Sequence, residues 1–76
     1  MELLKQVEKI ANEITDGHYT ILKFTTGYKG FFGTPNLDIG EEREVIWNLP
    51  KFKTFEEVLK FLIDTKTCIY ELKKKM

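Results

Sequence analysis

Apolar residues at helical spacing predict a first amphipathic helix near the start of the chain. The positions that recur at intervals of four, three and four residues are Leu3, Val7, Ile10 and Ile14. This spacing places them on one face of a helix, and charged or amide side chains occupy most of the remaining positions. The pair Asp16-Gly17 ends the pattern, because glycine readily adopts the left-handed conformation that closes a helix. We therefore expect a helix over residues 2–15.

A pattern typical of strands follows in residues 18–26, which are rich in β-branched and aromatic side chains. Alternation places Leu22 and Phe24 on one face of this strand. The other face carries Tyr19, Ile21, Lys23 and Thr25. Gly27 is the expected turn residue before a second strand that Pro35 ends. Within that strand, Gly30 and Gly33 indicate a bulge or the close approach of another backbone. The segment predicts an antiparallel hairpin over residues 18–35.

The next apolar segment, residues 43–49, is compatible with two structures. Alternation aligns Val45, Trp47 and Leu49 on one side of a strand, whereas Ile46 and Leu49 fit a short helical turn. The Val-Ile-Trp run favours extended backbone, so we expect a third strand here. Pro50 ends the segment in either case.

A second helix is predicted over residues 54–65, since Thr54 and Glu57 have the spacing of a capping box. Its apolar stripe consists of Phe55, Val58, Leu59 and Leu62, broadened by Phe61 and Ile63. Poor helix formers at 64–67 predict a break, after which residues 67–72 return as a last strand. Residues 73–76 are expected to fray.

Together these elements predict one α+β domain over residues 1–76, in the order helix-strand-strand-(strand)-helix-strand. So short a chain favours a two-layer sandwich, with two helices packed on one face of a three- or four-stranded, mainly antiparallel sheet. A right-handed connection through the second helix to the last strand would place the first strand at the centre of the sheet.

Charge and cysteine content narrow the functional classes. Twelve basic residues balance twelve acidic ones, so the formal net charge is zero. Nucleic-acid binders usually carry a basic excess, which disfavours that class, while the absence of net repulsion is compatible with self-association. A single cysteine, Cys68, forms neither an internal disulfide nor a structural zinc site. With no signal-peptide pattern and no long apolar run, we expect a cytoplasmic protein without a membrane segment.

The residues give little support for catalysis, a metal site or a cofactor. His18 is the lone histidine, and it and Cys68 would need to lie within hydrogen-bond reach in a cleft to form a small active site. The acidic stretch 38–44 does not match a calcium loop, and the glycines of 27–33 do not match a phosphate loop. We expect no enzyme, no catalytic residues, no metal and no cofactor.

The leading functional hypothesis starts from aromatic residues that the two predicted helices would leave uncovered. Two helices would cover one face of the sheet and leave aromatic residues on the other. We therefore predict a non-enzymatic protein-interaction module that binds a protein partner, or itself as a homo-oligomer. Its sheet face would carry Tyr19, Ile21, Tyr28, Phe31 and Trp47.

The alternative hypothesis is a nucleic-acid-binding accessory domain. Aromatic rings interleaved with lysines bind single strands by stacking and by charge. The lysines beside the predicted hairpin and downstream of it are Lys23, Lys29, Lys51 and Lys53. The neutral net charge places this hypothesis second.

Overall fold

A computed structural model describes residues 2–74 of the chain and shows a small α+β fold. In chain order its elements are α1 (Glu2–Ile14), β1 (Tyr19–Phe24), β2 (Gly27–Phe32), α2 (Gly40–Asn48), α3 (Phe55–Thr65) and α4 (Ile69–Lys74). α1, the hairpin and α3 confirm the prediction, whereas α2 and α4 do not. The predicted frayed tail, 73–76, begins within α4, and residues 75 and 76 lie outside the described residues.

Hydrogen bonds and left-handed backbone conformations close to each terminus define the ends of the two predicted helices. After α1, Asp16 and Gly17 adopt positive φ, and the Gly17 N–H donates to the Ala11 carbonyl at 3.0 Å. At the start of α3, the Thr54 hydroxyl accepts the Glu57 N–H at 3.1 Å, as the capping box predicts. Lys66 closes α3 in the left-handed conformation. Within residues 2–74, no helix is long and apolar enough to cross a membrane.

The sheet has two strands, β1 and β2, paired antiparallel from Tyr19 opposite Phe32 to Phe24 opposite Gly27. The predicted third and fourth strands are wrong for the chain that the structure describes. On the side of β2 away from β1, single bridges join Tyr28 to Phe52 and Phe32 to Cys68. β2 is therefore the central strand and β1 lies at the edge, which reverses the predicted placement.

The segment expected to be a third strand is the helix α2. Its buried residues are Glu42, Val45 and Ile46. Residues three and four positions apart share one face of a helix, whereas a strand would bury every second residue. The contacts of this buried face outweigh the modest extended preference of the Val-Ile-Trp run. Likewise, residues 69–74 form α4, so the predicted last strand is reduced to the bridge at Cys68.

Helices cover both faces of the hairpin, not one. Phe32 packs in a core cluster with Val7 and Ala11 of α1 and Leu59 and Leu62 of α3. Its neighbour Phe31 points the other way and packs with residues of α2 and α4, namely Val45, Ile46 and Ile69. The predicted two-layer arrangement with an open sheet face is therefore replaced by helices on each side of the two strands.

Gly27 and Gly30 of β2 lie so close to neighbouring residues that a side chain would not fit at either position. A Cβ at Gly30 would lie 2.9 Å from the Val58 methyl of α3, and a Cβ at Gly27 would overlap the Phe52 carbonyl oxygen. The turn itself consists of Thr25 and Thr26. The atoms close to Gly30 belong to side chains of α3 and the strand register is continuous, so neither the bulge nor the close approach of another backbone that the sequence suggested explains this glycine.

Candidate functional site

The five residues predicted to share a sheet face are divided among three environments. Tyr19 and Ile21 are half-buried against the cluster formed by α1 and α3. Tyr28 is half-buried, with its ring 5.9 Å from that of Phe55. Phe31 is fully buried on the opposite face of the hairpin, and Trp47 is 79% exposed on α2. The predicted residues therefore do not form one surface, and Trp47 is the member that solvent reaches most.

The four predicted lysines are also divided. Lys23 lies on the α1 and α3 face of the hairpin, opposite to Lys29, as the strand register requires. Lys53 is exposed just before α3. Lys29 and Lys51, in contrast, border one cleft together with Trp47. The structure thus brings together one member of the predicted aromatic set and two members of the lysine set.

We call this feature the Trp47 cleft. It has a volume of about 440 Å³ and is lined by Phe24, Thr25, Thr26, Lys29, Trp47 and Lys51. The β1–β2 turn supplies one wall and the last turn of α2 supplies the other. None of the six lining residues is acidic, so the cleft combines two exposed aromatic rings with two ammonium groups.

Lys29 connects the hairpin to α2. Its Nζ donates to the carbonyls of Ile46, at 3.2 Å, and Trp47, at 2.7 Å, and so satisfies carbonyl groups at the end of α2. The same Nζ lies 5.5 Å from the centre of the Trp47 ring and 5.8 Å from that of Phe24. A cation near an aromatic face is attracted by the ring quadrupole, so both ring contacts of Lys29 are favourable.

The Lys29 side chain is unusual for a lysine because it is only 8% exposed. Carbonyl dipoles and ring faces are its contacts, and no carboxylate within residues 2–74 forms an ion pair with it. Burial of a charge normally requires a partner of opposite charge, so the cleft is electrostatically suited to an anionic group. Lys51, whose Nζ donates to the Thr26 hydroxyl at 2.7 Å, adds a second, exposed ammonium.

The outer face of α2 continues this surface away from the cleft. Gly40, Arg43, Glu44 and Trp47 are all exposed and follow helical spacing, opposite to the buried Glu42, Val45 and Ile46. The loop before α2 exposes two apolar side chains, with Leu37 55% and Ile39 38% exposed. Arg43 Nη1 donates to the Leu37 carbonyl and holds this loop against the helix.

The sequence prediction missed this face because it favoured a strand here. Alternation would have grouped Trp47 with Val45 and Leu49, whereas Val45 is buried and Trp47 is exposed. The signal that could have revealed the face is the separation of three, four and seven residues from Gly40 to Arg43, Glu44 and Trp47.

The residues considered for catalysis are not arranged in a common cleft. His18 is exposed at the junction between α1 and β1, where its carbonyl accepts hydrogen bonds from Thr15 Oγ1 and the Gly33 N–H. Cys68 is 9% exposed in the core cluster. Within residues 2–74, no three His, Cys, Asp or Glu side chains are grouped in a way that could hold a metal ion.

No protein-family model matches the chain, and neither the curated proteins nor the solved structures compared with it include a match.

Lys29→Met is expected to lower the free energy of unfolding by about 1–3 kcal/mol, since hydrogen bonds from a charged donor to the end of α2 are lost. Trp47 is the one tryptophan of the chain, so its fluorescence anisotropy should fall as the ring gains freedom. Denaturant titration followed by tryptophan fluorescence measures both effects. Lys51→Met is the matched control and should change stability by less than about 0.5 kcal/mol. Equal effects of the two substitutions would contradict the anchoring role of Lys29.

Proposed function

We propose that this chain is a non-enzymatic protein-interaction module and that its docking surface is the Trp47 cleft with the adjoining outer face of α2. The observation that carries the proposal is the Trp47 ring, which is 79% exposed and lies with its centre 5.5 Å from Lys29 Nζ. An exposed tryptophan beside a second exposed ring is typical of interaction sites, where Trp and Tyr supply much of the binding energy.

The surface around Trp47 has the composition expected of a docking site. Phe24 is 38% exposed across the cleft, and charged groups surround the two rings. Interfaces commonly place aromatic anchors at the centre and polar groups at the rim. This surface replaces the predicted sheet face, whose Tyr19, Ile21 and Phe31 contact helices of the chain itself.

Photocrosslinking in cells that produce the protein tests this proposal. A photoreactive phenylalanine analogue at position 47 is expected to yield covalent adducts, whereas the same analogue at position 8, on the exposed side of α1, should yield few. Protease-sensitive adducts of defined mass would support a protein partner. In the variant that also carries Phe24→Ala, the yield from position 47 should fall at least about tenfold, because a central interface anchor is removed. Equal yields from positions 47 and 8 would overturn the proposal.

A second candidate function is single-stranded nucleic-acid binding, favoured by the two rings and two lysines of the Trp47 cleft. Bases would stack on Phe24 and Trp47 while Lys51 contacts a phosphate. The lysine set that supports it differs from the predicted one, because Lys23 lies on the other face of the hairpin. Titration with a fluorescent single-stranded oligonucleotide at low and high salt distinguishes the two functions. Binding that weakens with salt and with Lys51→Ala would favour the nucleic acid, and nuclease-sensitive adducts at position 47 would agree.

A further inference from the structure

We propose that the outer edge of β1 binds an extended segment of a partner protein, which pairs antiparallel with β1 as a third strand of the sheet. The segment places a carboxylate beside Lys23 and apolar side chains beside Ile21 and Tyr19. None of these three residues lines the Trp47 cleft, so the edge is a second binding surface. Its basis is the hydrogen bonding of the hairpin backbone.

One hydrogen bond and the strand register together fix the direction of each backbone group in β1. His18 and Gly33 lie one step beyond the first pair of the register, and the Gly33 N–H donates to the His18 carbonyl at 2.9 Å. Hydrogen-bonded and non-hydrogen-bonded pairs alternate along an antiparallel ladder. The residues of β1 whose N–H and C=O groups point away from β2 are therefore Tyr19, Ile21 and Lys23.

The outer edge of β2 shows the same alternation, and its outward groups have partners. The Tyr28 N–H donates to the Phe52 carbonyl at 2.6 Å, and the Phe52 N–H donates to the Tyr28 carbonyl at 2.8 Å. The Phe32 N–H donates to the Thr67 carbonyl at 2.7 Å. Segments of the chain itself thus satisfy outward backbone groups of β2.

The outer edge of β1 has no comparable partner. Among residues 2–74, no backbone or side-chain group forms a hydrogen bond with the outward N–H and C=O groups of Tyr19, Ile21 and Lys23. Every residue of β1 is half-buried or exposed, whereas five of the six residues of β2 are buried. A row of unpaired donors and acceptors on an accessible strand is a template for the extended backbone of another chain.

β1 lacks most of the features by which proteins prevent pairing at a sheet edge. Its six residues include no proline, and its register with β2 is continuous, without a bulge. Its one charged residue is Lys23, which is exposed near the end of the strand. A lysine opposes pairing with a basic segment, but it favours a carboxylate at the opposite position of the added strand. The charge therefore selects an acidic partner.

The remaining side chains specify the rest of the segment. Tyr19 and Ile21 are half-buried against the cluster formed by α1 and α3, so each keeps part of its apolar surface in solvent. Directly opposite residues of an antiparallel pair have side chains on the same face, about 5 Å apart. The bound segment thus has a carboxylate opposite Lys23, followed at the next two alternate positions by apolar side chains. β1 of a second copy contains no carboxylate, so it lacks this pattern.

Amide hydrogen exchange measured by NMR tests whether the edge is open. We expect the outward amides of Tyr19, Ile21 and Lys23 to exchange at least about tenfold faster than the inward amides of Thr20 and Leu22. Equal protection of the two sets would overturn the proposal, because the outer edge would then already be paired.

A random peptide library displayed on phage supplies the probe for binding. Peptides of about nine residues selected on the purified chain should share the pattern of a carboxylate followed by two apolar residues at alternate positions. We expect a synthetic peptide of this consensus to bind with a Kd of about 1–100 µM and to slow exchange of the three outward amides. Failure of the library to yield a peptide that protects these amides would overturn the proposal.

A charge exchange between chain and peptide tests the predicted register. Lys23→Glu should raise the Kd of the acidic peptide at least about tenfold, and replacement of the peptide carboxylate by lysine should restore it to within about threefold. The matched control is Lys53→Glu, because Lys53 is exposed after Phe52, beyond the other edge of the hairpin, and it should change the Kd by less than about threefold. Trp47→Ala should also leave the Kd unchanged. Dependence on Trp47 in place of Lys23 would overturn the proposal.

Backbone substitutions test strand pairing directly. N-methylation of the peptide at the residues opposite β1's outward groups should raise the Kd at least about tenfold, whereas methylation of the intervening residues should not. In the chain, Ile21→Pro removes an outward donor that β2 does not use, with Ile21→Val as the control that keeps it. Binding indifferent to the position of methylation would overturn the proposal, as would a dimer of the chain that Ile21→Pro abolishes, since the occupant would then be a second copy. Absence of crosslinking at position 47 would remove the proposed docking surface and leave these results intact.

Discussion

Phe32→Ala is expected to lower the free energy of unfolding by about 3–5 kcal/mol. The Phe32 ring is fully buried where β2 meets α1 and α3, in contact with a cluster that includes Val7, Leu59 and Leu62. Its removal leaves a cavity that neighbours on three elements cannot all move to fill. Because a domain of this length has a total stability of roughly 4–11 kcal/mol, this loss removes a large part of it.

Urea denaturation followed by circular dichroism measures this loss, with Phe24→Ala as the matched control. Phe24 lies on the same hairpin, but its ring is 38% exposed and contacts solvent at the cleft. We expect Phe24→Ala to cost about 1 kcal/mol or less, since little apolar area returns to water. A similar loss for both variants would contradict the placement of Phe32 in the core.

Gly33→Ala is expected to lower the free energy of unfolding by about 2–4 kcal/mol, through backbone strain and overpacking together. Gly33 has a φ of +105°, a conformation that a residue with a Cβ rarely adopts. An added Cβ would lie 2.8 Å from the Ile69 methyl and 3.1 Å from the Tyr70 ring, so the first turn of α4 must move. Its amide also donates to the His18 carbonyl, which links this position to the edge strand.

Gly40→Ala is the control for this substitution, because position 40 has neither a positive φ nor a close neighbour. Alanine in a helix is favoured over glycine by up to about 1 kcal/mol, so stability should stay equal or increase. Both variants are compared by chemical denaturation at a protein concentration where the chain is monomeric. Loss of stability in Gly40→Ala, or none in Gly33→Ala, would be inconsistent with the geometry at the two positions.

Prediction from the sequence succeeded where the signal was local. The four-three-four spacing of α1, the capping box of Thr54 and the alternation of β1 each depend on residues a few positions apart. The structure confirms the two helices, the hairpin and the division of β1 into two faces. These features form because a helix or strand with an apolar stripe buries it in almost any compact arrangement.

Prediction failed in the short segments whose residues favour a helix and a strand to a similar extent. Residues 43–49 and 67–72 are short and rich in residues that favour strands, yet both segments are mainly helical. α2 is selected by burial of Val45 and Ile46 against Phe31, and its end is satisfied by Lys29, a residue 17 positions from Ile46. Such contacts outweigh strand preferences, which span only about 1 kcal/mol.

The candidate site was predicted in part. The sequence predicts Trp47 as a residue that contacts a protein partner, and Lys29 and Lys51 as nucleic-acid contacts under the alternative hypothesis. The structure places all three at one cleft. The remaining predicted interaction residues contact other elements of the chain. Tyr19, Ile21 and Tyr28 pack on the side of α1 and α3, and Phe31 is buried under α2 and α4.

The sequence by itself determined that this chain has two amphipathic helices and a hairpin, because these depend on the periodicity of apolar residues along the chain. The tertiary structure decided that β2 is central, that residues 40–48 form a helix and that Lys29 is buried beneath an exposed Trp47. These outcomes depend on contacts between residues far apart in the chain. Their energies exceed the small local preferences of short segments, and neighbouring residues alone do not encode them.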